Sequence, residues 1–260
     1  MGIGYDVKLL VSAIILLIAL SFGLFPILIK VNGITKKILA YGEAFAGGIF
    51  LGAGFIHLLP DAQAGLNLVF KSGYPFGFAI CACSILLLFM IEEGAVKLLT
   101  CRNEQCKHMY LQPWLAYLLA IVLSIHSVIA GIALGVETVL STFIIIFIAI
   151  IAHKGSAAFA LGVSMRNRGL QKSVMVKLML LFSLMTPVGI IFGSMLANIL
   201  QLNSGKLAAA IFNAIAAGTF IYIAFHIAKV SEQDECISTL WRLTYAAFGL
   251  VIMALVALYL

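Results

Sequence analysis

With 260 residues, 63% of them hydrophobic, only 10% charged and a mean hydropathy of +1.16, the chain is not an ordinary soluble domain. Its net charge of +6 includes no soluble patch of interleaved basic and aromatic residues, so nucleic acid is not expected as a partner. The composition is that of an integral membrane protein, and its continuous apolar runs indicate helices rather than the alternating strands of a barrel.

Crossing a hydrocarbon core about 30 Å thick takes roughly 20 apolar residues as helix. Eight stretches meet that requirement, over residues 7–29, 38–59, 76–99, 113–135, 142–163, 174–200, 207–228 and 240–260. The first lacks a basic leader and is too long an apolar run for a secretory signal, so it reads as a permanent helix. No long linker or low-complexity tract interrupts the series. The chain therefore reads as one transmembrane domain over 1–260, with a short loop at about 100–112.

Eight spans place both termini on one side. The loops joining segments 1 and 2, 3 and 4, 5 and 6, and 7 and 8 hold twelve Lys and Arg residues, against Lys8, Lys71 and Lys206 on the terminal side. That asymmetry predicts cytoplasmic loops and termini that are extracellular or luminal. The positive charge is thus explained by topology. Cys81 and Cys83 fall in segment 3, and Cys101, Cys106 and Cys236 in basic loops, so no disulfide framework is expected.

Ionisable groups are costly within a span and mark a pathway or a partner. The candidates are Glu43, His57, Glu92, Glu93, His126, His153, Lys154 and His226. A single membrane His such as His226 also serves as a helix-to-helix hydrogen-bonding group, and Glu92 with Glu93 also suits a solvated helix end. Two His in matched local sequences carry more weight. "HSVIAGIALG" begins at His126, and "HKGSAAFALG" begins 27 residues later at His153. Positions i, i+4, i+7 and i+8 share a helix face, so His126, Ala130, Ala133 and Leu134 form one stripe and His153, Ala157, Ala160 and Leu161 its counterpart. Small residues on both stripes predict close approach of segments 4 and 5. Since successive spans run in opposite directions, the matched stripes predict an approximate inverted repeat with a site near the midplane.

These motifs, with "AFAGGIFLGAGFIHLLPDA" in segment 2, "TPVG" from Thr186 and "AAGTFIYIAF" from Ala216, resemble the ZIP (Zrt-, Irt-like protein) family of divalent-metal carriers from the first segment to the last. The resemblance implies an eight-helix bundle with extracellular termini and segments 4 and 5 inside it. It also implies metal ligands at His126 and His153, with Ser127 beside the first. Lys154 falls where two-metal members have an acidic ligand, and Thr186 likewise replaces an acid before the Pro. His-Lys in segment 5 is similar to the animal branch, which keeps one metal site.

Ala130 and Ala157 stand where most members have at least one carboxylate. Zinc and iron(II) favour about four imidazole, carboxylate or water ligands, and the two His supply half of them. His57 and Glu92 match positions at which animal members have a His and a Glu linked to transport, and are expected to compensate. Asp61 is expected at the outer end of segment 2, as a turn residue or a cation entrance. "CRNEQCKH" gathers Cys101, Glu104, Cys106 and His108 in a loop, a weak zinc signal.

The expected function is transport of a divalent cation, zinc first and iron second, toward the cytosol across the plasma membrane or an endomembrane by alternating access. The metal is substrate, and no tightly bound cofactor is expected. Beyond the metal, the expected partners are the lipid bilayer and a second copy in a homodimer. A ZIP-like sensor or scaffold that has lost the site carboxylates is the alternative. An intramembrane hydrolase is disfavoured because "HKGSA" lacks the Glu and second His of a zinc-protease helix.

Overall fold

The computed structural model describes residues 3–30, 32–71, 73–99, 104–195, 203–231 and 238–258. They form eight helices long and apolar enough to cross a membrane. These are α1 (Tyr5–Leu28), α2 (Gly33–Phe70), α3 (Phe76–Leu99), α4 (Glu104–Val136), α5 (Leu140–Asn167), α6 (Lys172–Met195), α7 (Asn203–Ser231) and α8 (Thr239–Ala257). No strand occurs among the described residues. Large apolar side chains such as Leu17, Leu86, Met90 and Phe248 remain exposed, as lipid contact requires.

Two helices are longer than the hydropathy pattern predicts. α4 already begins at Glu104, inside the expected loop, so the break is narrower than 100–112. α2 does not stop near residue 59 but continues to Phe70. Pro60 has no N–H to extend an α-helical ladder. A π-helical turn over Ala53–Leu58 precedes it, in which the Leu59 amide donates to the Gly54 carbonyl five residues back. Asp61 accordingly sits within a helix and not at a turn.

The helices pack as two four-helix halves. In one half α4 lies chiefly on α6, α5 on α1, and α1 on α6; in the other α2 lies on α7 and α8, and α3 on α7. Exchanging α1 with α6, α2 with α7, α3 with α8, and α4 with α5 maps these contacts onto themselves. That is the contact pattern of an inverted repeat with a two-fold axis in the membrane plane. A second internal match agrees with it. Ala44, Ala46, Gly48, Phe50 and Phe55 of α2 correspond in order to Ala214, Ala216, Gly218, Phe220 and Phe225 of α7.

The expected close approach of α4 on α5 is not the tightest packing of α4. A Cβ on Gly131 would strike the Thr186 carbonyl of α6, and one on Gly189 the Val128 carbonyl of α4. Gly131 and Gly135 follow His126 by five and nine residues, which puts them on nearly the opposite side of the helix. Glycine permits closer backbone approach than the alanines of the predicted stripe, so the tight seam forms there. α4 and α5 are instead joined by a short turn, Glu137–Val139, whose Thr138 and Val139 amides donate to the Glu137 carboxylate.

Candidate metal site

His126 and His153 meet where α4 passes α5. Their ring centroids are 5.7 Å apart, and both lie against Phe220 of α7, at 4.5 and 6.0 Å. Phe220 in turn meets its repeat counterpart Phe50 edge-on at 5.2 Å. Both imidazoles are buried; neither nitrogen of His126 has a hydrogen-bond partner, and His153 leans on the Ala149 carbonyl one turn back, with Nδ1 outside regular hydrogen-bond geometry. Buried polar atoms are normally satisfied, so such orphaned lone pairs mark a place where an ion or water is to be accommodated.

Equivalent positions of the 27-residue repeat touch each other. His126 meets His153, and the next residue of each copy forms a hydrogen bond in which Lys154 Nζ donates to Ser127 Oγ at 2.8 Å. The Ser127 hydroxyl in turn donates a hydrogen bond to the Leu123 carbonyl at 2.7 Å. The ammonium also reaches the Phe182 carbonyl at 3.4 Å and lies 3.7 Å above that ring. Lys154 is 3% exposed, and its contacts run to Ser127 and Phe182. Thr186 and Ser183 of α6 are buried with unpartnered hydroxyls.

The remaining expected ligands divide between two places. His57 pairs with Asp61 at 3.1 Å, one turn further along α2. Glu92 belongs to a second cluster. It accepts a 2.5 Å hydrogen bond from the Tyr222 hydroxyl and lies 3.6 Å from His226 Nδ1. Among the described residues, no three His, Cys, Asp or Glu side chains gather to hold a metal. Cys101 lies outside the described residues.

That second cluster was not foreseen. Its centre is Arg168, which sequence reading assigned only to the basic loop. At the end of α5 the Gly169 amide donates to Arg166 O and the Leu170 amide to Met165 O, with Gly169 at φ +69°. This is a Schellman stop, and Arg168 is its cap residue. One terminal nitrogen of its guanidinium donates to Ser164 Oγ at 2.5 Å and the other is 2.5 Å from His226 Nε2. Burial pulls the Arg168 pKa down from its ordinary value, while Glu43, Tyr222 and Glu92 push it back. The neighbouring Arg166 turns the other way, donating to the Pro26 and Ile29 carbonyls at the end of α1. The sequence match between α2 and α7 was the available signal for Phe220; His226 was already a candidate as an ionisable residue within a span, and nothing marked Arg168.

A buried His pair on the axis of an inverted-repeat helical bundle is the architecture of a multi-pass membrane carrier. The sequence profile of the ZIP Zinc transporter family matches residues 5–111 and 97–257, and the chain belongs to that family. It is 27% identical to Zinc transporter ZIP1 of Danio rerio, covering 96% of this chain and 97% of the relative. Similarity to Zinc transporter ZIP2 of Mus musculus is also 27%, over 94% and 95% of the two chains, and to Zinc transporter ZIP3 of Homo sapiens 25%, over 95% and 98%.

Proposed function

We propose that the chain carries zinc toward the cytosol, with His126 and His153 as the ligands that bind it at mid-membrane. The observation that carries this reading is the pair of buried imidazoles with orphaned nitrogens, facing each other on the repeat axis. Zinc takes neutral imidazole readily; His57 is not gathered with the pair in this structure, so as a third donor it would have to move toward them. Water completes the shell. Lys154 occupies a second cation's position and takes the Ser127 oxygen with it. Glu92, from its place beside His226, acts later along the route.

The packing supports a reading by alternating access. α4 lies on α6 and α5 on α1, so in this reading these four helices are the body that would move against α2, α3, α7 and α8. The His pair rides on the first body, and Phe220 is the wall it passes. The test is uptake of radiolabelled zinc by cells lacking their own carriers. His126→Ala and His153→Ala are each expected to reduce uptake at least tenfold at unchanged surface abundance. Normal uptake by the double variant defeats the site assignment, and no uptake by the wild type favours the scaffold alternative.

A further inference from the structure

We infer that the groove between α7 and α8 holds an anionic phospholipid, its phosphate received by Arg242 and an acyl chain lying along the bare face of α2. The site is separate from the His pair and does not depend on what the protein carries.

The groove follows from how three helices meet. α7 and α8 both pack on α2 and barely touch each other, so a strip of α2 is left open between them. Small residues line it, Ala44, Gly47 and Gly48 from α2, Ala224 and Ala228 from α7, and Ala246 from α8. With no long side chains to close the gap, a cavity of about 370 Å³ remains, within the range of about 300–1,000 Å³ usual for ligand pockets. Along most of its length the wall is apolar, and hydrocarbon is what such a wall takes.

The exception is the end where α8 begins. Arg242 borders the cavity there and is 9% exposed, and its Nε and Nη2 are buried without a hydrogen-bond partner. Both atoms are sealed from water, so bulk solvent does not supply the acceptor they lack. A buried charge left unpaired is costly, and a guanidinium presents only donors, in a fork that matches phosphate. Ser238, the N-cap of α8, makes no side-chain capping bond, so the positive end of that helix favours the same anion.

Depth agrees with a headgroup. Arg242 is the fourth residue of α8, about one turn from its start. Leu240, Trp241 and Leu243 around it are exposed, and Tyr41 of α2 stacks on Tyr245 of α8 at 4.6 Å, which together form an interfacial aromatic belt. The exposed Lys37 shares the face of α2 that carries Ala44 and Gly48, two turns nearer the basic end than Ala44. Two cations and a helix N-terminus select a headgroup of net negative charge over a zwitterionic one. Anionic lipids gather in the cytoplasmic leaflet, on which the charge asymmetry places this end of the bundle.

The experiment adds phosphatidylserine, phosphatidylcholine or inorganic phosphate to the purified full-length chain in detergent, and reads bound lipid by native mass spectrometry. The wild type is expected to retain one phosphatidylserine per chain with at least a tenfold preference over phosphatidylcholine, and inorganic phosphate should not displace it. Arg242→Gln should bring that preference to about unity, and Arg242→Lys should keep most of it. Ala228→Phe fills the groove from an exposed position on α7 and leaves Arg242 in place, so it should lower retention of both lipids at least tenfold. Ala228→Phe and the exposed Lys37→Gln, which should weaken the preference, carry the test if the Arg242 variants do not fold. Equal retention of the two lipids by the wild type, a preference that survives Arg242→Gln, or displacement by inorganic phosphate overturns the proposal. So does a dimer without bound lipid that Ala228→Phe dissociates, for a second copy would then be the occupant.

Discussion

Lys154 hydrogen-bonds Ser127, the residue at its own position in the other copy of the repeat, at 2.8 Å. The bond crosses the axis beside the His pair, so one side chain both joins α4 to α5 and holds a positive charge next to the proposed ligands. Replacing Lys154 by Met keeps a long apolar stem over Phe182 and removes that charge. Zinc affinity of the purified protein is expected to rise by about tenfold, the effect of roughly 1.4 kcal/mol of relieved repulsion. Lys154→Asp should raise it further while slowing release. Equal affinity in all three proteins, measured by calorimetry, would reduce Lys154 to a packing role.

Phe220 touches both imidazoles and Phe50, and it is fully buried. Phe220→Ala is expected to cost about 3 kcal/mol in stability through the cavity it leaves, and to lower zinc uptake more than the loss of folded protein explains. Thermal unfolding in detergent and uptake normalised to surface abundance check the two parts. Phe220→Leu should recover most of the stability and less of the uptake.

The seam between α4 and α6 makes a prediction about stability alone. Gly131→Ala places a methyl against the Thr186 carbonyl, with backbone rather than a flexible side chain in the way. Such overpacking typically costs about 1–3 kcal/mol. Gly73→Ala, with nothing near its Cβ, is the control and should leave the melting temperature unchanged.

Sidedness is tested by labelling. Lys71→Cys and Lys172→Cys introduce thiols at exposed positions on opposite sides of the bundle. The charge asymmetry predicts that an impermeant maleimide reaches residue 71 in intact cells, and residue 172 only after permeabilisation. The reverse pattern would invert the molecule.

Hydropathy made all eight spans legible, since a bilayer demands long apolar runs whatever the tertiary packing. The His pair was equally legible because its motif occurs twice. Partner choice was not. Small residues along a stripe state that some helix comes close, and only the three-dimensional arrangement shows that α4 spends its glycines on α6. The end of α2 was missed because Pro60 reads as a stop unless a π turn precedes it. Arg168 was indistinguishable from any loop arginine, for its role depends on the Schellman turn at Gly169 and on acceptors dozens of residues away.

The π turn also has a consequence for how the two copies of the repeat are related. From Phe50 to His57 is one residue more than from Phe220 to His226, and the surplus lies where the π turn widens α2. Allowing for that residue, His57 and His226 are counterparts, each beside a carboxylate, Asp61 in one case and Glu92 in the other. The carboxylates differ in origin, Asp61 coming from the same helix as its His and Glu92 from α3, and of the two His Arg168 contacts only His226. The two halves are therefore alike in backbone plan and unlike in charge, for a guanidinium from the other half bonds His226 while His57 pairs with a carboxylate of its own helix.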